Sequence, residues 1–181
     1  MKEKPVICGI AAVGPNNVIG FDGQMPWYSK QDFYHFRKTT TPFPCIFGKN
    51  TYENMSLKPL PNRLNIVCSA QFKNEYKDDV FYADSLESAI NQCSDFEKLF
   101  ICGGSALYKY ALDHDLIKVM YLTIIQNKIL AEQVVKNPGA YTYFPKDISW
   151  FKKYWNMQKI TYPELPKENL GIKASFYVFS R

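Results

Sequence analysis

Apolar residues fall in short unbroken runs, separated by stretches in which they recur every three or four positions. Residues 6–13, 45–47, 65–68, 80–82 and 99–102 form such runs. Unbroken apolar character, as opposed to alternation, predicts strands buried on both faces, as in a parallel sheet. Helices are predicted between them at 31–40, 49–55, 86–93 and 105–111, with Ser85 as the N-cap of the third. Strand–helix alternation predicts an α/β fold. The final third differs. Residues 118–125, 151–161 and 173–179 are predicted as strands with no helix between them, giving an antiparallel edge on a mixed sheet. Residues 126–140 are the least patterned and are predicted to be a long excursion. Residues 162–171, with Pro163, Pro166 and Gly171, are predicted to be a loop.

A length of 181 residues suits one domain, 1–181, with a sizeable core. The chain is 16% aromatic, enough for flat stacking pockets. Its net charge of +5 favours anionic small molecules. Lys and Arg are scattered, and Lys152-Lys153 is the longest basic cluster, so nucleic acid is not an expected partner. Cys8, Cys45, Cys68, Cys93 and Cys102 include no C-x-x-C pair. They predict buried free thiols and a cytoplasmic setting, with no metal site. No apolar run approaches a membrane span. Residues 6–13 follow Lys2-Glu3-Lys4 and imitate a short signal peptide, but the acid in the flank and the lack of a small-residue cleavage site favour a first strand.

Five segments carry candidate chemistry. Asn17 to Trp27 holds two glycines, an apolar tip and Pro26-Trp27, and suits a loop that closes over a ligand or one merely pinned by Trp27. Ser29 to Arg37 places Asp32, Phe33 and Phe36 on or beside one helix face. A carboxylate on an apolar face suits proton donation, whereas Ser29 with Asp32 also fits a simple helix cap. His35 is expected to be exposed. Phe47-Gly48-Lys49-Asn50-Thr51 runs from a strand into a helix start that suits phosphate, or only a solvated lysine. Arg63, just before a buried strand, suits a carboxylate or plain solvent. Cys102-Gly103-Gly104-Ser105 joins a buried strand to a helix and lets a pyrophosphate approach the backbone.

In order and spacing, these segments resemble dihydrofolate reductase over nearly the whole chain. The resemblance rests on Ile10-Ala11-Ala12, Val18-Ile19-Gly20, Met25-Pro26-Trp27, Asp32, Phe36, Gly48-Lys49-Asn50-Thr51, Leu60-Pro61-Asn62-Arg63, Cys102-Gly103-Gly104, Tyr108, Tyr121-Leu122-Thr123 and Phe144-Pro145. It implies a three-layer α/β fold, with a mostly parallel mixed sheet of about eight strands and about four helices. It implies NADPH-dependent reduction of dihydrofolate to tetrahydrofolate by a monomer. Asp32 resembles the pterin-site carboxylate, Thr123 its support, and Trp27 the holder of an ordered water. Ile10, Ala12, Phe33, Phe36, Met55 and Cys102 would line the substrate site, and Arg63 would bind the glutamate carboxylate. Ile19 and Gly20, with Ala12, would lie beside the nicotinamide ribose. Gly48, Lys49, Asn50, Thr51 and Ser69 would hold the phosphates, including the 2′-phosphate. Cys102, Gly103, Gly104 and Ser105, with Ala106, Leu107 and Tyr108, would meet the pyrophosphate. The Gly-Gly bond is expected to be cis, and Asp at position 32 looks bacterial.

The chain departs from the family pattern at four places. Tyr141 precedes Thr142 where an acid linked to loop closure is usual, and 126–140 is longer than usual. Cys102 stands for an aliphatic residue, and Ala70 for a polar one, which leaves cofactor preference to Lys49 and Ser69. Two other readings are a related pterin or pyrimidine reductase, such as that of riboflavin synthesis, and a catalytically silent folate- or nucleotide-binding protein.

Overall fold

A computed structural model describes residues 3–165 and 172–181. The unbroken runs become the parallel core: β1 (Val6–Val13), β3 (Cys45–Gly48), β4 (Asn65–Cys68), β6 (Val80–Ala83) and β7 (Lys98–Ile101). A short β2 (Val18–Phe21) lies outside this core, and a hairpin strand β5 (Glu75–Lys77) precedes β6. Between the core strands lie α1 (Lys30–Thr40), α2 (Lys49–Glu53) and α3 (Leu86–Asn91), and α4 (Ser105–Asp113) follows β7. The final third contains β8 (Val119–Asn127), α5 (Lys128–Lys136), β9 (Tyr141–Tyr143), α6 (Ile148–Tyr154), β10 (Asn156–Ile160) and β11 (Ile172–Ser180).

The main sheet has nine strands in the order β10-β11-β8-β1-β7-β3-β4-β6-β5. Pairs from β8 across to β6 are parallel, while β11, β10 and β5 pair antiparallel. Two cores lie on the two faces. On β7, Leu99 and Ile101 join one cluster with Leu86, Ala89, Tyr108, Leu112 and Phe151 from α3, α4 and α6. Phe100, between them, joins the other with Tyr52 of α2 and Phe36 of α1. Burial on both faces is why these strands carry no polar alternation.

Two segments differ from the sequence expectation. Residues 151–161 are not one strand. Asp147 caps α6, accepting from the Trp150 N–H at 2.8 Å, and Phe151 and Trp155 bury one face four residues apart. The aromatic β-formers there disguise a helical period. Residues 126–140 hold α5, capped by Asn127, which accepts from the Leu130 N–H at 3.1 Å. Leu130 and Val134 are its buried pair. Ile129 and Val135 are 71% exposed and blur the pattern. Of the predicted loop 162–171, residues 166–171 lie outside the described residues.

All five cysteines are free. Cys8, Cys45, Cys68 and Cys93 are buried and Cys102 half-buried. Burial pushes the Cys8 thiol up to about 11, and Cys68 and Cys93 to about 12. Among the described residues, no helix is long and apolar enough to cross a membrane.

Candidate active site

The C-terminal ends of the central strands supply two adjoining helix starts. Six α-helices occur among the described residues. Four are capped at their N-termini by side chains: Ser29, Ser85, Asn127 and Asp147. The other two, α2 and α4, begin on Gly48 and Gly104 with no side-chain cap. They follow β3 and β7, which are neighbours in the sheet. The Gly48 N–H donates to the Gly103 carbonyl at 2.7 Å and pins the two starts together. Gly103 has φ +112° and a cis bond to Gly104. A Cβ on Gly104 would come within 2.8 Å of the Thr51 hydroxyl, so the approach of α2 to α4 requires glycine here. Uncapped N–H groups with a positive helix end form a site for an anion.

Lys49 stands at the first position of α2. Its ammonium donates to Gln71 Oε1 at 3.0 Å, and the Gln71 N–H donates to the Ser69 hydroxyl at 3.3 Å. The structure links Lys49 and Ser69 through Gln71, a residue the sequence did not single out. Asn50 and Ala106 are exposed, and Thr51, Leu107 and Ser105 half-buried. Ser105 has a partner within the fold. Its hydroxyl donates to the Tyr143 carbonyl at 2.8 Å and ties β9 to the start of α4. Tyr108 is also committed to the fold, donating to the Ile10 carbonyl at 2.5 Å.

On the other side, α1 presents Asp32. Ser29 accepts from the Asp32 N–H at 3.0 Å, so the capping reading holds. Asp32 is also 8% exposed, the one buried carboxylate among the described residues. Burial, the largest cause, holds the Tyr108 phenol well above its usual range. Thr123 is buried on β8 next to Ala12 of β1. Trp27 is 8% exposed, and its Nε1 is buried with no hydrogen-bond partner among the described residues. Phe36 and Met55 are half-buried against the core on this face, whereas Phe33 is 43% exposed and packs on Tyr28. Ile19 and Gly20 lie on β2, which pairs with β9. Phe21 and Tyr141 close the far end of that pair, their rings 5.0 Å apart.

Arg63 is held outward from the sheet. It donates to the Thr40 hydroxyl at 2.9 Å and the Pro61 carbonyl at 3.1 Å, with its guanidinium 5.9 Å from the Phe36 ring centre. Asn65 anchors this turn. Its amide accepts from the Leu60 N–H at 2.8 Å and donates to the Leu60 and Arg63 carbonyls at 2.9 and 3.0 Å. The sequence did not flag Asn65, although a lone polar residue opening an apolar strand is the signal.

His35 corrects the expectation of exposure. With Asp32 and Thr40 it forms the buried stripe of α1. Its ring lies 4.7 Å from Phe176, and Nδ1 is 2.7 Å from the Tyr162 hydroxyl. Burial lowers its pKa from 6.5 to about 4. Above pH 6.5 both folded and unfolded states are neutral at His35. Below it the unfolded chain takes a proton that the folded one refuses. Stability should therefore fall from pH 6.5 towards pH 4, by about 3 kcal/mol in all from this residue. Urea midpoints of the wild type and His35→Phe across that range check it. Parallel curves would show that His35 contributes nothing.

The comparisons with known proteins agree. Residues 6–145 match the family model described as "Dihydrofolate reductase". A dihydrofolate reductase of Haemophilus influenzae is 37% identical over 161 residues, covering 88% of this chain and 89% of the relative. The chain belongs to the dihydrofolate reductase family. A type 3 dihydrofolate reductase of Salmonella typhimurium is 32% identical over 95% of this chain and 96% of its own. A solved dihydrofolate reductase of Enterococcus faecalis, complexed with NADP(H), superposes with TM-score 0.73 over 98% of this chain and 97% of its own. At 22% identity that likeness bears on the fold alone. Membership makes the chain an oxidoreductase, and its mixed, mostly parallel sheet is that of the family.

Proposed function

We propose that the chain reduces 7,8-dihydrofolate to 5,6,7,8-tetrahydrofolate with NADPH, as a single domain spanning 1–181. The observation that carries this reading is the pair of uncapped, glycine-opened helix starts, in a chain whose one buried carboxylate among the described residues is Asp32. A phosphorylated cofactor fits these starts. Gly103, Gly104 and the first-turn N–H groups of α4 from Ser105 to Leu107 would hold its pyrophosphate. Gly48, Lys49, Asn50, Thr51 and Ser69 would hold the remaining phosphates. Ala12, Ile19 and Gly20 would border the nicotinamide ribose. Bound NADPH would supply a hydride to pterin C6.

The protein's own residues supply the rest. Asp32 would bond the pterin ring and favour protonation at N5. Trp27 has a buried N–H free to hold a water beside it, and Thr123 would support the carboxylate. Ile10, Phe33, Phe36, Met55 and the Cys102 backbone would hold the flat ring in a slot that excludes water. Arg63 would fork onto the glutamate carboxylate of folate, which separates this reading from reductases of smaller pterins or pyrimidines. Five free thiols suit a reducing, cytoplasmic setting. A monomer that binds neither membrane nor nucleic acid completes the reading.

The test is oxidation of NADPH by the purified protein on addition of dihydrofolate. Absence of turnover with both ligands bound would favour a silent binding protein. Lys49→Ala should weaken NADPH by about 1.5–3 kcal/mol, roughly 10- to 100-fold, and leave NADH nearly unchanged. Titration of both cofactors checks this, and equal losses would remove Lys49 from the 2′-phosphate site.

A further inference from the structure

The reaction as derived makes no use of α5, the element in the long stretch between β8 and β9. Its buried residues, Leu130 and Val134, form one apolar cluster with Val18, Trp27 and Ile125. Ala12, Tyr141 and Tyr143 pack against that cluster. The fit is tight at one point. A Cβ on Gly14 would come within 2.8 Å of the Trp27 ring and 3.4 Å of Leu130 Cδ2. The end of β1, the indole and α5 therefore meet there without spare room.

The indole N–H is buried and has no hydrogen-bond partner among the described residues. Among the described residues no hydrogen bond orients the ring, and packing sets where the N–H points. The opposite side of α5 faces solvent through Ile129, Glu132, Gln133 and Val135. The helix is fixed at both ends. Asn127 caps its start, and the Tyr143 hydroxyl donates to the Pro138 carbonyl at 2.7 Å just past its end. Through the Tyr143 carbonyl and Ser105 the same anchor reaches α4.

We infer that α5 is a positioning element for the reaction: Leu130, backed by Val134, sets the direction of the Trp27 indole N–H and so the proton-delivery half of catalysis. The inference rests on the reading given under Proposed function. Misplacing a catalytic group by about 1 Å costs up to about 100-fold in rate. Removing three side-chain carbons in Leu130→Ala, with partial collapse of the space, should cost on the order of tenfold by the same reasoning.

The experiment compares the wild type with Leu130→Ala, Leu130→Met, Val134→Ala and, on the outer face, Ile129→Ala. The first readout is the Trp27 indole N–H resonance of the ligand-free protein, identified with Trp27→Phe. In Leu130→Ala it should move, and its exchange with solvent should quicken. Val134→Ala should give a smaller change of the same kind. Leu130→Met should restore the wild-type signal, and Ile129→Ala should leave it alone. The second readout is single-turnover hydride transfer against pH. Leu130→Ala should lower the rate on the order of tenfold at neutral pH and shift the profile, with NADPH affinity kept. A lowered Tm with unchanged indole signal and pH profile would overturn the inference and leave α5 a structural patch. If Leu130→Ala does not fold, Val134→Ala decides on the same readouts. Absent turnover in the wild type, with an indole signal that still follows Leu130, would sink the functional reading while the positioning of Trp27 stands.

Discussion

Asp32→Asn should lower hydride transfer at neutral pH by about 100- to 10,000-fold, the usual contribution of a positioned acid, while NADPH still binds. Asparagine keeps the size of the side chain, and the Ser29 cap acts on the backbone N–H at 3.0 Å, so the helix start survives. What is lost is the charge and the ability to favour a proton at N5. No second carboxylate is buried among the described residues, so nothing nearby takes over. Single-turnover rates with NADPH in excess, across pH, measure the effect directly. A rate within a few-fold of the wild type would remove Asp32 from the chemistry.

The second large effect falls on stability and on substrate affinity together. Asn65 is 1% exposed, and its amide satisfies three backbone groups of the turn that carries Arg63. Asn65→Ala leaves those groups without partners, at about 1–3 kcal/mol each before any water enters, so a loss of about 4 kcal/mol is expected. The turn should also slacken. Arg63 depends on it, since one of its two hydrogen bonds goes to Pro61 within the turn. KM for dihydrofolate should therefore rise while NADPH affinity, set at α2 and α4, holds. Denaturant unfolding and steady-state kinetics test the two halves. A variant as stable as the wild type would show that the turn holds itself.

The parallel centre of the fold was legible because its strands are covered on both faces, which leaves an unbroken apolar run in each. Elements that lack this signature were not. Strand β5 is exposed throughout and turns into β6 at Asp78 and Asp79, with φ of 49° and 62°. Two consecutive acids conceal a tight hairpin that glycine or asparagine would have announced. In α5 and α6 the helical period is present but overlaid by exposed aliphatic or β-forming residues. His35 was misjudged because the covering groups, Tyr162 and Phe176, lie more than 120 positions away in the chain.

The candidate site divides in the same way. Residues carried within one segment, such as Asp32 or Gly103-Gly104, could be named from sequence. Their remote partners could not, because tertiary placement alone makes them partners. Gln71 bridges Lys49 and Ser69, Thr40 receives Arg63, and Tyr143 receives Ser105. The Ser105 hydroxyl shows the same limit: its place at a helix start is read locally, whereas its partner, the Tyr143 carbonyl of β9, lies 38 positions away.

The buried thiols give the molecule a set of internal clocks. Cys8, Cys45 and Cys68 sit in β1, β3 and β4, and Cys93 lies just past α3. An alkylating reagent attacks only the thiolate of an accessible sulfur. Cys8, Cys68 and Cys93, held near 11 to 12 by burial, stay silent until their own element opens. The order in which they become reactive thus records which part of the sheet comes apart first, and whether the strands under the helix starts open separately from the rest or only with it.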